Sequence, residues 1–196
     1  EESIALVREA AGIGGGDRVL DLACGPGLTA LDFARHAKHV TGIDLTPAMI
    51  EQARALQQAK GIENLDWRVG DVTALPFGDA EFTVAFTRYS FHHMLEPARV
   101  LAEMSRVTAT GGRVAVVDVF SRDPEQARAY DEVEILRDPS HVHALGLDEF
   151  NRLFDEAGLT DRVTSFYKLD VALESILATS FPDPGSPEKI RKLFQE

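Results

Sequence analysis

The sequence predicts a doubly wound α/β fold: a mostly parallel sheet with helices on both faces. Two observations carry this. Five short apolar runs lack the polar alternation of a half-exposed strand, and helical stretches lie between most of them. Arg18 to Ala23 reads as the first buried strand, ended by the turn Cys24-Gly25-Pro26-Gly27. Leu28 to His36 carries Leu28, Leu31 and Ala34 at helical spacing, and Val40 to Asp44 is the second strand. Thr46 before Pro47 gives a cap and a first helical turn for a helix reaching Lys60. Leu65 to Val69 and Phe82 to Thr87 are the third and fourth strands. Pro97 to Val107 is helical with Gly112 as its stop, and Arg113 to Phe120 is the fifth strand.

The last third is less regular. Helices are expected over Pro124 to Arg137 and Leu147 to Ala157, the latter stopped by Gly158. A sixth strand is expected over Arg162 to Leu169, then a helix over Val171 to Thr179, a loop from Phe181 to Gly185 and a closing amphipathic helix from Pro187 to Gln195. No repeat, low-complexity tract or interdomain linker interrupts the chain, so residues 1–196 read as a single domain.

Composition narrows the function. The chain has 20 basic against 32 acidic residues, a formal charge of −12. That field repels phosphate backbones, and no lysine/arginine cluster opposes it, so nucleic acid is not an expected partner. The single Cys24 forms neither an internal disulfide nor a multi-cysteine metal site, which suits a reducing, cytoplasmic setting. No apolar run approaches the roughly 20 residues of a membrane span. The chain opens Glu1-Glu2 with no apolar leader, so no signal peptide is expected, and it reads as part of something slightly longer.

The glycine turn is the first functional signal. In open parallel sheets, ligands bind at strand ends where the strand order reverses. Gly25 and Gly27 remove Cβ atoms that would block a ligand from the backbone there. Gly25-x-Gly27-x-x-Ala30, with Asp44 19 residues after Gly25, also fits a dinucleotide fingerprint, so a nicotinamide-dependent oxidoreductase is one reading. Three acids favour another ligand. Asp21 in the first strand precedes the turn by four residues, where it repels a phosphate and attracts an ammonium. Asp44 ends the second strand and suits the two hydroxyls of a ribose, and Asp71 after Gly70 suits an adenine amine. Ammonium, ribose and adenine together describe S-adenosylmethionine.

The run Val19-Leu20-Asp21-Leu22-Ala23-Cys24-Gly25-Pro26-Gly27 resembles the class I S-adenosylmethionine-dependent methyltransferases. Val40 to Ile50, Gly70 to Phe77 and Thr110 to Arg113 extend the likeness over about residues 15 to 160. The series is most similar to the small-molecule branch that includes ubiquinone/menaquinone C-methyltransferases. The resemblance implies a Rossmann-like methyltransferase sheet with S-adenosylmethionine as cofactor, S-adenosylhomocysteine as product and a small-molecule methyl acceptor. It implies that Gly25 and Gly27 approach the methionine part, which Asp21 helps orient. Asp44 would bind the ribose, Leu45 and Met49 would flank the adenine, and Asp71 with Val72 would hold its edge. Residues 121–196 would include helical insertions on the substrate side. Similar proteins carry a longer N-terminal helical segment than Glu1 to Ala11 and an antiparallel seventh strand, for which no run after Phe166 qualifies. A third reading is a protein that binds S-adenosylmethionine without methylating.

Chemistry is expected in Thr87-Arg88-Tyr89-Ser90-Phe91-His92-His93-Met94, which leaves the fourth strand at the ligand edge. The resemblance places the backbone near Arg88 against the cofactor and the histidines near the acceptor. A base is needed only if the acceptor must lose a proton, and neutral imidazole in His92 or His93 suits that task. Alternatively they cap the following turn. His141 in Asp138-Pro139-Ser140-His141 is a further candidate near the acceptor. His141 and His143 have no obvious third ligand, so no metal is expected. Cys24 reads as a small filler in the turn. The sequence leaves open the acceptor, the atom methylated and the oligomeric state.

Overall fold

A computed structural model describes residues 2–120, 123–168, 172–178 and 184–193. The chain opens with α1 (Glu2–Ala10), β1 (Arg18–Leu22), α2 (Leu28–Phe33), β2 (His39–Asp44), α3 (Pro47–Lys60) and β3 (Leu65–Val69). It continues with β4 (Phe82–Arg88), a 3-10 turn (Phe91–His93), α4 (Pro97–Val107), β5 (Thr108–Val117), α5 (Pro124–Arg137) and α6 (Leu147–Glu156). The final described helices are α7 (Leu173–Ala178) and α8 (Ser186–Leu193).

All four strand pairings are parallel, in the order β3-β2-β1-β4-β5. The chain thus builds outward from β1 to β3, then crosses back to start again at β4. The reversal falls between β1 and β4, whose carboxyl ends open the crevice where such sheets bind ligands. Alternation along β1 divides its side chains between two cores. Val19 faces Val7, Leu31, Phe33 and Ile50 of α1, α2 and α3. Leu20 and Leu22 face Val100, Leu101, Met104 and Leu153 of α4 and α6. On α4 the buried positions 100, 101, 104 and 107 form one apolar stripe, the condition for a helix to lie against a sheet.

Four expectations are corrected. First, α2 ends at Phe33 rather than His36. Second, Thr46 is the N-cap residue of α3 but its side chain makes no cap; Asp44 Oδ1 accepts from the Thr46 amide instead, at 2.9 Å. Third, Gly112 does not stop α4. The helix ends at Val107, Thr108 is already extended, and Gly112 lies within β5, which ends at Val117 rather than Phe120. A Cβ on Gly112 would fall 2.6 Å from the Thr83 carbonyl oxygen, so close strand approach requires glycine there. Between the pairs Phe82↔Thr108 and Val84↔Arg113, β4 advances two residues while β5 advances five, so β5 bulges.

Fourth, residues 162–168 form no strand. Val163 is 93% exposed, and the apolar positions 163, 166 and 167 do not alternate, so no face is available to pair and bury. Leu169 and the expected loop residues Phe181 to Asp183 lie outside the described residues, as do Thr179, Phe194 and Gln195 at the helix ends.

Candidate functional site

The first wall of the crevice is the turn after β1. Ala23, Gly25 and Gly27 all have positive φ, of 50°, 53° and 78°. The two glycines do different work. A Cβ on Gly25 would meet nothing within 4 Å, so its side is open. A Cβ on Gly27 would fall 2.2 Å from the Trp67 ring. The Cβ side of Gly27 is therefore filled by Trp67. Trp67 also closes on Gly42, where a Cβ would lie 2.4 Å away, and its indole donates to Gln57 at 2.6 Å.

Asp21 lies beneath this turn, 2% exposed, with Oδ2 unpartnered. Burial pushes its carboxyl up to about 8; the Ala30 amide and the Arg88 charge oppose that rise, and Asp44 adds to it. Burial, with Asp21 and Asp44 nearby, likewise pushes the Cys24 thiol far above its ordinary range, so it is inert as a nucleophile. Asp44 braces the turn from β2, its Oδ2 accepting from the Gly25 amide at 2.8 Å. Each carboxylate oxygen of Asp44 holds one such bond and keeps a second lone pair. Leu45 beside it is 70% exposed and Met49 half-buried, an apolar ledge next to polar acceptors. Asp71 is exposed and accepts from the Thr73 amide and hydroxyl, both at 2.8 Å and both on Oδ1. Those bonds hold its carboxyl below the usual range and leave Oδ2 outward. Val72 is half-buried against the α4 core.

Arg88 ends β4, the strand beside the one that carries Asp21. Its Nη2 donates to Ser3 Oγ of α1 at 2.9 Å, its guanidinium lies 4.4 Å from the Tyr89 ring centre, and Nε is buried and unpartnered. Tyr89 has φ 53°, a left-handed backbone that costs a non-glycine residue roughly 1–2 kcal/mol. The Tyr89 amide donates to the Val117 carbonyl at 2.8 Å, and its hydroxyl meets that of Tyr167 at 2.6 Å. The tail is thereby tied to the rim of the crevice.

Beyond Tyr89, His92, His93 and His141 come together, with ring centres 4.2 to 6.1 Å apart. His92 and His141 are each held by an acid. His92 is 4% exposed, and its Nδ1 faces Asp118 Oδ1 at 2.5 Å. His141 Nε2 lies 2.7 Å from Asp131, leaving a buried Nδ1 without partner. His143 grips the other Asp131 oxygen at 2.9 Å, so the pair read for its metal spacing ties the loop to α5. Among the described residues no cluster of three or more ligands could hold a metal.

His93 is half-buried, with Nδ1 3.0 Å from Ser140 Oγ. Ser140 donates to Asp138 at 2.7 Å, so it accepts from Nδ1–H of His93, and that assignment leaves Nε2 as a bare lone pair. Burial, then the neighbouring His92, holds the His93 pKa below its ordinary value. Sequence reasoning missed Asp118 and Asp131. Asp118 carried the same signal as Asp21, Asp44 and Asp71, an acid closing an apolar run; Asp131 carried none, because only folding brings α5 to His141.

Residues 20–116 match the family described as Methyltransferase domain. The chain is 32% identical over 175 residues to YcgJ of Bacillus subtilis, named an uncharacterized methyltransferase, covering 89% of this chain and 69% of that protein. The crystal structure of YcgJ matches with a TM-score of 0.91 at 30% identity, over 98% of this chain and 82% of that one. The ubiquinone/menaquinone biosynthesis C-methyltransferase UbiE of Roseobacter denitrificans is 36% identical over 121 residues, 59% of this chain and 48% of that protein. The 27-O-demethylrifamycin SV methyltransferase of Amycolatopsis mediterranei is 32% identical over 148 residues, 74% of this chain and 54% of that protein. The chain thus spans about half the length of the last two.

Proposed function

Because this chain belongs to the class I S-adenosylmethionine-dependent methyltransferases, we propose that it transfers a methyl group from S-adenosylmethionine to a small-molecule acceptor. The observation that carries the donor is a pair of buried, unpartnered side-chain atoms on adjacent strands, Asp21 Oδ2 in β1 and Arg88 Nε at the end of β4. Uncompensated burial of such groups is costly, and a zwitterionic amino-acid group supplies both missing partners. Asp21 would hold the ammonium and Arg88 the carboxylate of the methionine part. Asp44 would take the ribose hydroxyls on its remaining lone pairs, Leu45 and Met49 the adenine face, and Asp71 with Val72 its edge. A dinucleotide would instead bring phosphate against buried Asp21, which disfavours the nicotinamide reading.

When bound, the donor supplies a methyl group on a sulfonium, open to in-line displacement, with S-adenosylhomocysteine as product. The protein's share is then positioning and, for an acceptor that must ionise, a base. His93 fits that base: its Nε2 is bare, its Nδ1 is fixed by Ser140, and it is neutral at pH 7. His92, locked by Asp118 and nearly fully buried, forms the wall that sets the His93 loop, and its carbonyl accepts from the amides of Val142 and His143. His141 stands behind them, fixed by Asp131. We assign the segment 121–196 to the acceptor side, since α5 and its following loop supply Asp131, Asp138, Ser140 and His141. The lone cysteine fits a cytoplasmic setting, and no helix among the described residues is long and apolar enough to cross a membrane.

Titration calorimetry tests the donor. S-Adenosylhomocysteine is expected to bind with one site, and NADH not at all. Asp44→Ala should weaken binding by about 1.5–3 kcal/mol, the worth of hydrogen bonds to a charged acceptor. Tight NADH binding without a nucleoside-sulfide signal sinks the reading.

A further inference from the structure

Helices α5, α7 and α8 form a cavity of about 360 Å³ that the donor site does not use. Its walls among the described residues include Ala129, Tyr130 and Val133 of α5, Leu173 and Leu177 of α7, and Ile190 of α8. The volume lies within the roughly 300–1,000 Å³ of small-molecule sites, and the mostly apolar lining with a few polar groups is their usual composition. Of the charged groups in the lining, Glu134 and Arg137 are paired with each other and Glu132 is exposed. Glu134 is 5% exposed, and Arg137 Nε lies 2.9 and 2.8 Å from its two carboxylate oxygens. At the buried pair a ligand anion would meet Glu134 and a ligand cation Arg137, and either would have to displace a formed ion pair; Glu132 adds a further repulsion for an anion. The Tyr130 hydroxyl is the neutral polar group, keeping its proton because burial raises its pKa. Its ring also stands 5.9 Å from His141, so the cavity shares a wall with the histidine cluster.

We propose that this cavity binds a neutral, mostly apolar small molecule of one or two rings, with a polar group directed to Tyr130, at a site separate from the donor pocket. Burial of the apolar body supplies the affinity, and the closed Glu134–Arg137 pair together with Glu132 excludes anionic competitors. The proposal stands independently of donor binding.

Calorimetry on the full chain tests it, with 1-naphthol as the neutral probe and 1-naphthalenesulfonate as its charged counterpart. Naphthol should bind one to one, and the sulfonate at least about tenfold more weakly. Saturating S-adenosylhomocysteine should leave naphthol affinity within about twofold. Val133→Trp and, separately, Leu177→Phe fill the cavity from opposite walls, and each should cut naphthol affinity about tenfold or more. If circular dichroism shows Val133→Trp unfolded, Leu177→Phe decides. Absent naphthol binding, equal sulfonate binding, displacement by S-adenosylhomocysteine, or full binding by a folded cavity-filled variant overturns the proposal. Failure of S-adenosylhomocysteine to bind bears on the donor reading alone.

Discussion

Asp21 joins stability and binding in a single side chain. Its folded value is about 8 against an ordinary 3.8. Between those values the folded chain holds a proton that the unfolded chain has lost, so stability without ligand should fall as pH rises from about 4 to 8. Asp21→Asn keeps an acceptor for the Ala30 amide but cannot ionise. In thermal melts it should flatten that slope and raise the midpoint at pH 8, by about 2–4 °C per kcal/mol recovered. The same change should weaken S-adenosylhomocysteine by about 1.5–3 kcal/mol, because the ammonium loses its counter-ion. Binding to the native chain should release a proton and tighten from pH 6 to 7.5, measured by calorimetry in buffers of different ionisation enthalpy. A flat profile there would show that Asp21 does not meet the ammonium. At His93 the expected rate profile rises with pH through a value below 6.5 and is level above it. His93→Ala should lower kcat by about 10²–10⁴ with product affinity unchanged. A loss under about tenfold would leave positioning as the whole of the catalysis.

At the scale of one element, the turn between β1 and α2 separates two glycines that look alike in the sequence. Gly27→Ala meets both a left-handed backbone, costing roughly 1–2 kcal/mol, and the Trp67 ring, adding roughly 1–3 kcal/mol of overpacking. Gly25→Ala carries the backbone cost alone, since nothing stands near its Cβ. Denaturant unfolding should therefore find Gly27→Ala the less stable variant, while Gly25→Ala loses proportionally more S-adenosylhomocysteine binding. The reverse order would mean that the ligand, rather than Trp67, sets Gly27. The turn pattern was legible in the chain, but its division of labour was not. Trp67 lies 40 residues from Gly27 and reaches it only because β3 joins the sheet beside β2.

For the whole molecule, the proposed donor site joins β1, β2 and β4 with α1 through Ser3 and with the tail through Tyr167. A ligand that binds only the folded chain stabilises it by mass action. At 100 times its dissociation constant, S-adenosylhomocysteine should add about 2.7 kcal/mol, a melting shift of about 5–10 °C, and NADH none. Equal shifts with both would return the glycine turn to its dinucleotide reading.

Five strands, the order of most helices and the acids at strand ends were legible in the chain alone. These are local: hydrophobic period and residue type act over a few neighbouring positions. Asp21, Asp44 and Asp71 could be read because each closes or interrupts an apolar run at the ligand edge of a parallel sheet. Only packing set residues 162–168 outside the sheet, placed Trp67 against Gly27, and brought Asp118 to His92, Ser140 to His93 and Asp131 to both His141 and His143. A hydrogen bond or a ring contact depends on distance and direction between segments far apart in the chain, and those quantities exist only once the segments have packed.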